Sequence, residues 1–191
     1  VGNFELDEVK DLAKRYFGRL PPGKRAPPDV VTLEMPQLAE KRMDATCDCQ
    51  PQIETRYHTV PFRHKDSYAL DVLAGLLNGR SGRLYKSLVL DQKIASDAGS
   101  LQDLRKWAGS FSLTAETKGD ATSEDLERAL EEELRKIREE PIPDRELQKV
   151  KNQITASSYR RLASGFFLLL QLLIYDGMGD WEYINERAVN T

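Results

Sequence analysis

Histidine and cysteine, the side chains that most often hold transition metals in proteins, are scarce in this 191-residue sequence. The two histidines, His58 and His64, are not expected to share one face of a strand or of a helix. Neither His-x-x-x-His nor His-x-x-Glu-His occurs. The sequence therefore predicts no metal-ligating residue and no cofactor in this chain.

The two cysteines, Cys47 and Cys49, are too few for a disulfide framework. They lie two positions apart on a predicted strand, which would point both side chains to the same face. We interpret them as small apolar side chains that face the core, with a metal or redox role as the less favoured alternative. Neither interpretation fixes the compartment, and the cytoplasm and the periplasm of a bacterium both fit.

Nucleophile motifs are also absent. Ala163-Ser164-Gly165 lacks the Gly-x-Ser-x-Gly elbow and falls between two predicted helices. The loop from Gly79 to Arg83 lacks the Gly-Lys-Ser/Thr of a phosphate loop and joins two helices rather than a strand to a helix. We therefore assign no catalytic residue, and the substrate-binding residues stay unassigned.

Long apolar runs and basic patches are missing as well. The run from Phe166 to Tyr175, interrupted by Gln171, is about half of the ~20 residues that a membrane span needs, so it predicts a buried helix. The net charge of −3 argues against a nucleic-acid partner. The first residue is Val1 and no basic-then-apolar leader follows, so we expect any signal peptide to lie outside this sequence.

What is present suffices for one core, since 40% of the residues are hydrophobic and 31% are charged. We expect a single domain fragment over residues 1–191. Residues 1–18 are a strand tail followed by an amphipathic helix over 5–17, and residues 19–39 are a linker. Residues 40–191 form the body. The linker is predicted because five of the nine prolines fall between Pro21 and Pro36.

Within the body, apolar residues recur at alternating positions over 42–49, 53–59, 94–102 and 106–117, which predicts four strands. In the last of these, Trp107, Phe111 and Leu113 share the inward face, and we expect it to be a central strand packed on the helix over 66–77. Further predicted helices cover 81–90, 123–138, 144 onward with a restart near Ser164, and 181–187, with a loop over 176–180. This order predicts an α+β fold, an antiparallel-rich twisted sheet with helices packed mainly on one face.

Four segments carry short motifs in a fixed order. They are Val1 to Pro21, with Val-Gly-Asn-Phe before the helix and Phe-Gly-Arg-Leu-Pro at its end; Tyr57 to Pro61; Asp71 to Val89, which contains Ser-Gly-Arg-Leu-Tyr; and Glu146 to Lys151. In this order and spacing they resemble the pitrilysin/insulinase family of zinc metallopeptidases, related to the mitochondrial processing peptidases. The resemblance assigns a family-motif role, structural rather than catalytic, to Gly79, Ser81, Arg83, Leu84 and Tyr85.

The resemblance implies that this chain is the second, metal-free domain of one half of such an enzyme. Zinc is then expected in a first domain outside this sequence, and the expected partners are that domain, the second half of the peptidase and peptide substrates. In the partner half the family often carries an arginine and a tyrosine, but the matching positions here are Val89 and Ser96. The chain is therefore not expected to supply that pair, and it fits the second domain of a catalytic half or of a degenerate half. A domain of a catalytically inactive homologue that serves as partner or scaffold is the alternative, and an unrelated α+β binding module is a third.

Overall fold

The computed structural model describes residues 1–25 and 35–190, and the side chains of residues 1–25 and 35–187. The middle of the predicted linker, residues 26–34, lies outside the described residues. The described helices are α1 (Leu6–Phe17), α2 (Asp66–Leu77), α3 (Ser123–Glu139), α4 (Asp144–Leu162), α5 (Gly165–Met178), α6 (Tyr183–Asn190) and a π-helix (Tyr85–Asp91). The described strands are β1 (Gln52–Thr59), β2 (Ala95–Leu104) and β3 (Gly109–Thr117).

The three strands form an antiparallel sheet in the order β1-β3-β2, so β3 is central. Phe111 lies opposite Tyr57 of β1 and opposite Gln102 of β2, which places these three side chains in one row across the sheet. The alternation of the sequence is kept in β3, where Phe111 and Leu113 are buried and Thr114 is exposed. The α+β prediction and the central position of this strand are confirmed.

The hydrophobic core lies on the face of the sheet that carries Phe111 and Leu113. The core cluster also contains Leu77, Leu84, Leu88, Ala95, Ala98, Ala115, Leu126, Ala129 and Leu130. α3 packs under β1 and β3, whereas α2 and the π-helix pack along β2. The prediction that the central strand packs on α2 is therefore corrected. β3 packs on α3, and α2 packs on the neighbouring strand β2.

The C-terminal helices α4 and α6 contact α2. Gly75 of α2 permits a close approach of α4, since a Cβ there would lie 2.5 Å from Val150 Cγ1. The guanidinium of Arg187 in α6 donates two hydrogen bonds of 3.0 Å to the Asp71 carboxylate and one of 3.1 Å to the Tyr175 hydroxyl. These bonds pin α6 to α2 and to the end of α5.

The predicted strand over 42–49 is wrong. This segment has no regular structure, its residues are exposed, and its two cysteines form a disulfide bond, Cys47–Cys49, instead of facing the core. A strand needs a hydrogen-bonded neighbour, and none of the described strands pairs with this segment. Its alternation alone was not enough to place it in the sheet.

Other parts of the structure also differ from the predicted element boundaries. Trp107 lies in the turn between β2 and β3 and is exposed, so it does not share the buried face of Phe111. The helix expected over 81–90 becomes the π-helix, closed by the bond from the Gln92 N–H to the Ser87 carbonyl five residues back. α5 continues to Met178, which shortens the expected loop over 176–180.

Two apolar helix surfaces are not covered by the described residues. No residue of α1 is buried, although its apolar side chains form the predicted stripe. In α5, the side chains of Phe166, Leu170 and Leu173 are exposed, so the prediction of a buried helix holds only in part. No single helix in the described residues is long and apolar enough to cross a membrane; only α4 and α5 together reach that length, with a bend of 104°.

Candidate functional site

The outer edge of β1 carries the backbone groups that define the candidate site. β1 is an edge strand, and the Thr117 N–H donates to the Pro51 carbonyl at 2.9 Å just before it begins. Because paired residues alternate along an antiparallel ladder, residues 53, 55 and 57 direct their backbone toward β3. The N–H and C=O groups of Glu54 and Arg56 therefore point outward, away from β3.

A cleft of about 590 Å³ lies beside this edge. It is lined by residues 35–40, residues 56–58, Trp107 and Ala108. Large apolar side chains line it, among them Leu38, Tyr57 and Trp107, with exposed fractions of 96%, 44% and 43%. Partial burial raises the pKa of Tyr57, and the nearby carboxylate of Glu131 adds to the shift. The cleft therefore offers apolar and aromatic surface next to outward-pointing backbone groups.

The face of the sheet opposite the core is polar. A smaller recess of about 210 Å³ lies there, near Arg56, Arg105 and Asp103. Both arginines pair with a carboxylate two residues away in the sequence. Arg105 Nε donates to Asp103 at 2.8 Å, and Arg56 donates to Glu54 at 2.6 Å. The recess therefore lacks the concentrated charge of a phosphate or nucleic-acid site.

The other edge of the sheet is closed by a side chain. The Asn78 amide donates to the Ser100 carbonyl at 2.7 Å and accepts from the Ser100 N–H at 2.7 Å. Asn78 thereby takes the place of a neighbouring strand at this position of β2. The two edges differ in consequence, because β1 directs backbone groups toward a cleft and β2 has Asn78 on its outer side.

The predicted motif residues lie together between α2 and the π-helix. Gly79 has a φ of 77°, a conformation that glycine adopts at little cost. The carbonyl of Ser81 accepts a bond of 3.3 Å from Lys149 Nζ, and Arg83 donates two bonds, of 3.0 and 2.7 Å, to the Glu146 carboxylate. Leu84 is fully buried and Tyr85 begins the π-helix. These contacts connect separate segments of the chain. None of the five motif residues lines the cleft or the smaller recess.

The remaining singled-out residues do not assemble into a catalytic group. His58 lies on β1 at the cleft, whereas His64 precedes α2 and accepts a bond of 3.2 Å from the Asp66 N–H. Val89 lies in the π-helix and Ser96 in β2. In residues 1–25 and 35–190, no three histidine, cysteine or carboxylate side chains lie close enough to hold a metal ion.

Sequence reasoning missed the residues that shape the site. Residues 35–39 were interpreted as linker and residue 40 as part of the body, Trp107 as a core residue and Asn78 as part of a motif. A proline-flanked segment with the apolar residues Met35 and Leu38 is a weak sign of a surface that is not simply solvated. No local pattern identifies the contact of Asn78 with β2.

The family model for the Peptidase M16 inactive domain matches residues 1–154. A protease from Helicobacter pylori has the same fold over 100% of this chain and 47% of its own, with 24% identity and a TM-score of 0.84. The inactive peptidase domain of a candidate zinc protease from Bordetella parapertussis matches 76% of this chain and 78% of its own, with 20% identity and a TM-score of 0.67. No curated protein sequence is significantly similar to the chain. The chain thus spans about half the length of the Helicobacter pylori protein.

Proposed function

This chain belongs to the M16 peptidase family, as its inactive domain, and from this premise we propose that it is a wall of the substrate chamber in a zinc-dependent metalloendopeptidase. It acts as one domain of that larger protein. The zinc-binding first domain and the second half of the enzyme are its partners, and peptides are the substrates. In such an enzyme a zinc ion held by the first domain would activate water for attack on a peptide carbonyl, and the residues for that chemistry are expected outside this chain.

The open edge of β1 is the observation that carries the proposal. An extended peptide pairs with such an edge through main-chain hydrogen bonds, largely independently of its sequence. Glu54 and Arg56 supply one outward N–H and one outward C=O each, so a peptide of three or more residues gains up to four backbone bonds. The β2 edge is less suited to this, because Asn78 already bonds the backbone of Ser100.

The cleft next to β1 supplies the second element of peptide binding. A peptide paired with β1 directs alternate side chains toward the surface that carries Tyr57. Leu38, Tyr57 and Trp107 accept bulky apolar side chains by burying their exposed surface, a gain of about 25 cal/mol per Å². Backbone pairing combined with one apolar cleft gives weak and broad selectivity, which suits a chamber that handles many peptides.

The second candidate function is a domain of a catalytically inactive homologue that acts as partner or scaffold. Val89 and Ser96 occupy the positions of the arginine and tyrosine that the resemblance places in the partner half, so they fit the second domain of either a catalytic or a degenerate half. The two functions are distinguished by the sequence that precedes Val1 in the full-length protein. A His-x-x-Glu-His motif there, together with zinc-dependent cleavage of peptides by the full-length protein, supports the peptidase; absence of both supports the scaffold.

The chamber-wall role is tested by substituting Arg56 in the full-length protein and measuring kcat/KM for a panel of short peptides. Arg56→Pro removes the outward N–H without breaking the ladder to β3. Arg56→Ala, the matched control, removes the side chain and keeps the N–H.

We expect the Pro variant to be about three- to ten-fold slower than the Ala variant for every peptide, the effect of one lost hydrogen bond of about 0.5–1.5 kcal/mol. Equal melting temperatures establish that both variants are folded. Rates within about two-fold of each other, ~0.4 kcal/mol, assign the domain a spacer role instead.

A further inference from the structure

The disulfide Cys47–Cys49 lies at the surface, in the exposed segment that precedes β1. Both cysteines are exposed, as are all residues from 35 to 50. The cysteines are only two positions apart, and a loop this short removes little entropy from the unfolded chain. The bond is therefore poorly suited to stabilising the fold, and both sulfur atoms are accessible to an external thiol.

We propose that Cys47 and Cys49 form a reversible thiol–disulfide exchange site that reacts with small thiols. The exchange reaction itself does not require peptide binding at β1, although its structural consequence concerns the same edge. The reaction begins with attack of an external thiolate on one sulfur of the bridge, which forms a mixed disulfide and releases the other cysteine as a thiolate that takes up a proton. A second external thiol then attacks the mixed disulfide. The protein gains two hydrogens as the dithiol, and the external pair leaves as its own disulfide.

The charges around the bridge select the kind of thiol. Asp48 lies between the two cysteines and Asp44 lies three residues before Cys47, all in an exposed segment. Both reagents attack as thiolates, but glutathione also has carboxylates that give it additional negative charge, so Asp44 and Asp48 repel it more than dithiothreitol. A charge about 6 Å away in water changes the rate by about two- to three-fold.

Reduction also changes the segment that follows the cleft. In the bridged form the Cα atoms of Cys47 and Cys49 are 5.4 Å apart, whereas two residues of an extended strand span ~6.6 Å. The bridge therefore contracts the backbone at the end of 42–49, a segment whose alternating sequence is typical of a strand. When the bond opens, this segment is free to extend and to pair with the outer edge of β1.

The first test follows the redox state by mass spectrometry of the tryptic peptide 43–56, which contains both cysteines. The purified protein is held in mixtures of reduced and oxidised glutathione, quenched with acid and alkylated. We expect the bridged form in air, two alkylated thiols in dithiothreitol, and recovery of the bridge in oxidised glutathione. Cys49→Ser is the control, because it stops at the mixed disulfide.

Two free thiols in air, or a stable mixed disulfide in oxidised glutathione for the unmodified protein, overturn the exchange site. Asp48→Asn should increase the rate with both thiols, because both attack as thiolates, but the increase should be about two- to three-fold larger with glutathione, which carries additional negative charge. A Glu140→Gln variant, which alters a distant exposed carboxylate, should change neither rate. Equal effects of Asp48→Asn on both thiols contradict the charge selection.

Amide hydrogen exchange tests the structural consequence. On reduction, the Glu54 and Arg56 amides should exchange about ten-fold more slowly, because they become donors to the extended segment. The Cys47→Ser/Cys49→Ser double variant, which cannot form the bridge, should show the slow exchange under both conditions. Unchanged exchange of these two amides in the reduced protein overturns the link between the bridge and β1.

Discussion

Arg83 and Glu146 form an ion pair with two hydrogen bonds that joins the loop after α2 to the first turn of α4. Arg83 belongs to the Ser-Gly-Arg-Leu-Tyr motif and Glu146 to the motif at the start of the long helix, 63 residues later. Two of the short sequence motifs thus contact each other through this ion pair. This contact gives a structural reason for residue types that carry no catalytic chemistry in this chain.

Removing one partner of this pair should destabilise the fold. The two side chains are only 17% and 25% exposed, so each isolated charge would be left partly desolvated. We expect Arg83→Leu to lower the free energy of unfolding by about 1.5–3 kcal/mol in urea denaturation. Arg135→Leu, at an exposed ion pair on α3, should cost less than about 1 kcal/mol. Equal costs for the two variants would mean that burial of the Arg83 pair adds nothing.

The same pair should make stability depend on acid pH. The hydrogen bond from Arg83 lowers the pKa of Glu146 below its ordinary value of 4.5. Between the lowered and the ordinary pKa the unfolded state binds more protons, so the free energy of unfolding falls as the pH drops from about 4.5 through the lowered pKa. Glu146→Gln should be less stable at neutral pH and should lose less stability on acidification. Parallel pH profiles for the two proteins would contradict this assignment.

Asn78 should contribute to stability by closing the β2 edge. Asn78→Ala removes both bonds to the Ser100 backbone and should cost about 1–3 kcal/mol, because the Ser100 groups are partly buried. Hydrogen exchange should report a local loss of protection at the Ser100 amide. The exposed Asn185→Ala serves as the control, with an expected change below about 0.5 kcal/mol. Unaltered protection at Ser100 would show that the Asn78 contact does not persist in solution.

Phe111 anchors the core face of the sheet. Its side chain is 4% exposed and lies within the cluster contributed by α2, α3 and the π-helix. Phe111→Ala should lower the free energy of unfolding by about 3–5 kcal/mol. Leu101→Ala, on the opposite face of β2 and 61% exposed, should cost less than about 1 kcal/mol. A small loss at Phe111 would mean that the faces are assigned the wrong way round.

Local patterns in the sequence were sufficient for most elements of the fold. The alternation around Phe111 predicted the central strand, and the apolar periodicity over residues 123–138 predicted α3 (Ser123–Glu139). The prediction failed where an alternating pattern had no partner, as in residues 42–49. It also failed at Trp107, where the hairpin turn interrupts the alternation that continues from Phe111.

The candidate site was much less predictable than the fold. Its cleft is built from residues 35–40, residues 56–58 and the turn at Trp107, three segments far apart in the sequence that meet only through the pairing of β1 with β3. Whether a strand lies at an edge depends on that pairing and not on its own residues. The position of Asn78 against Ser100 is likewise a tertiary contact between two segments 22 residues apart.

Hydrogen exchange at β1 in a peptide complex tests whether the outer edge of this strand binds peptide. The full-length protein, with Cys47 and Cys49 bridged, is saturated with a peptide that it does not cleave, and exchange of the backbone amides is compared with the free state. We expect about ten-fold slower exchange at Glu54 and Arg56, with little change at Thr55 and Tyr57, whose amides already face β3. Unchanged exchange at Glu54 and Arg56 in the saturated complex would contradict the role of this domain as a peptide-binding wall.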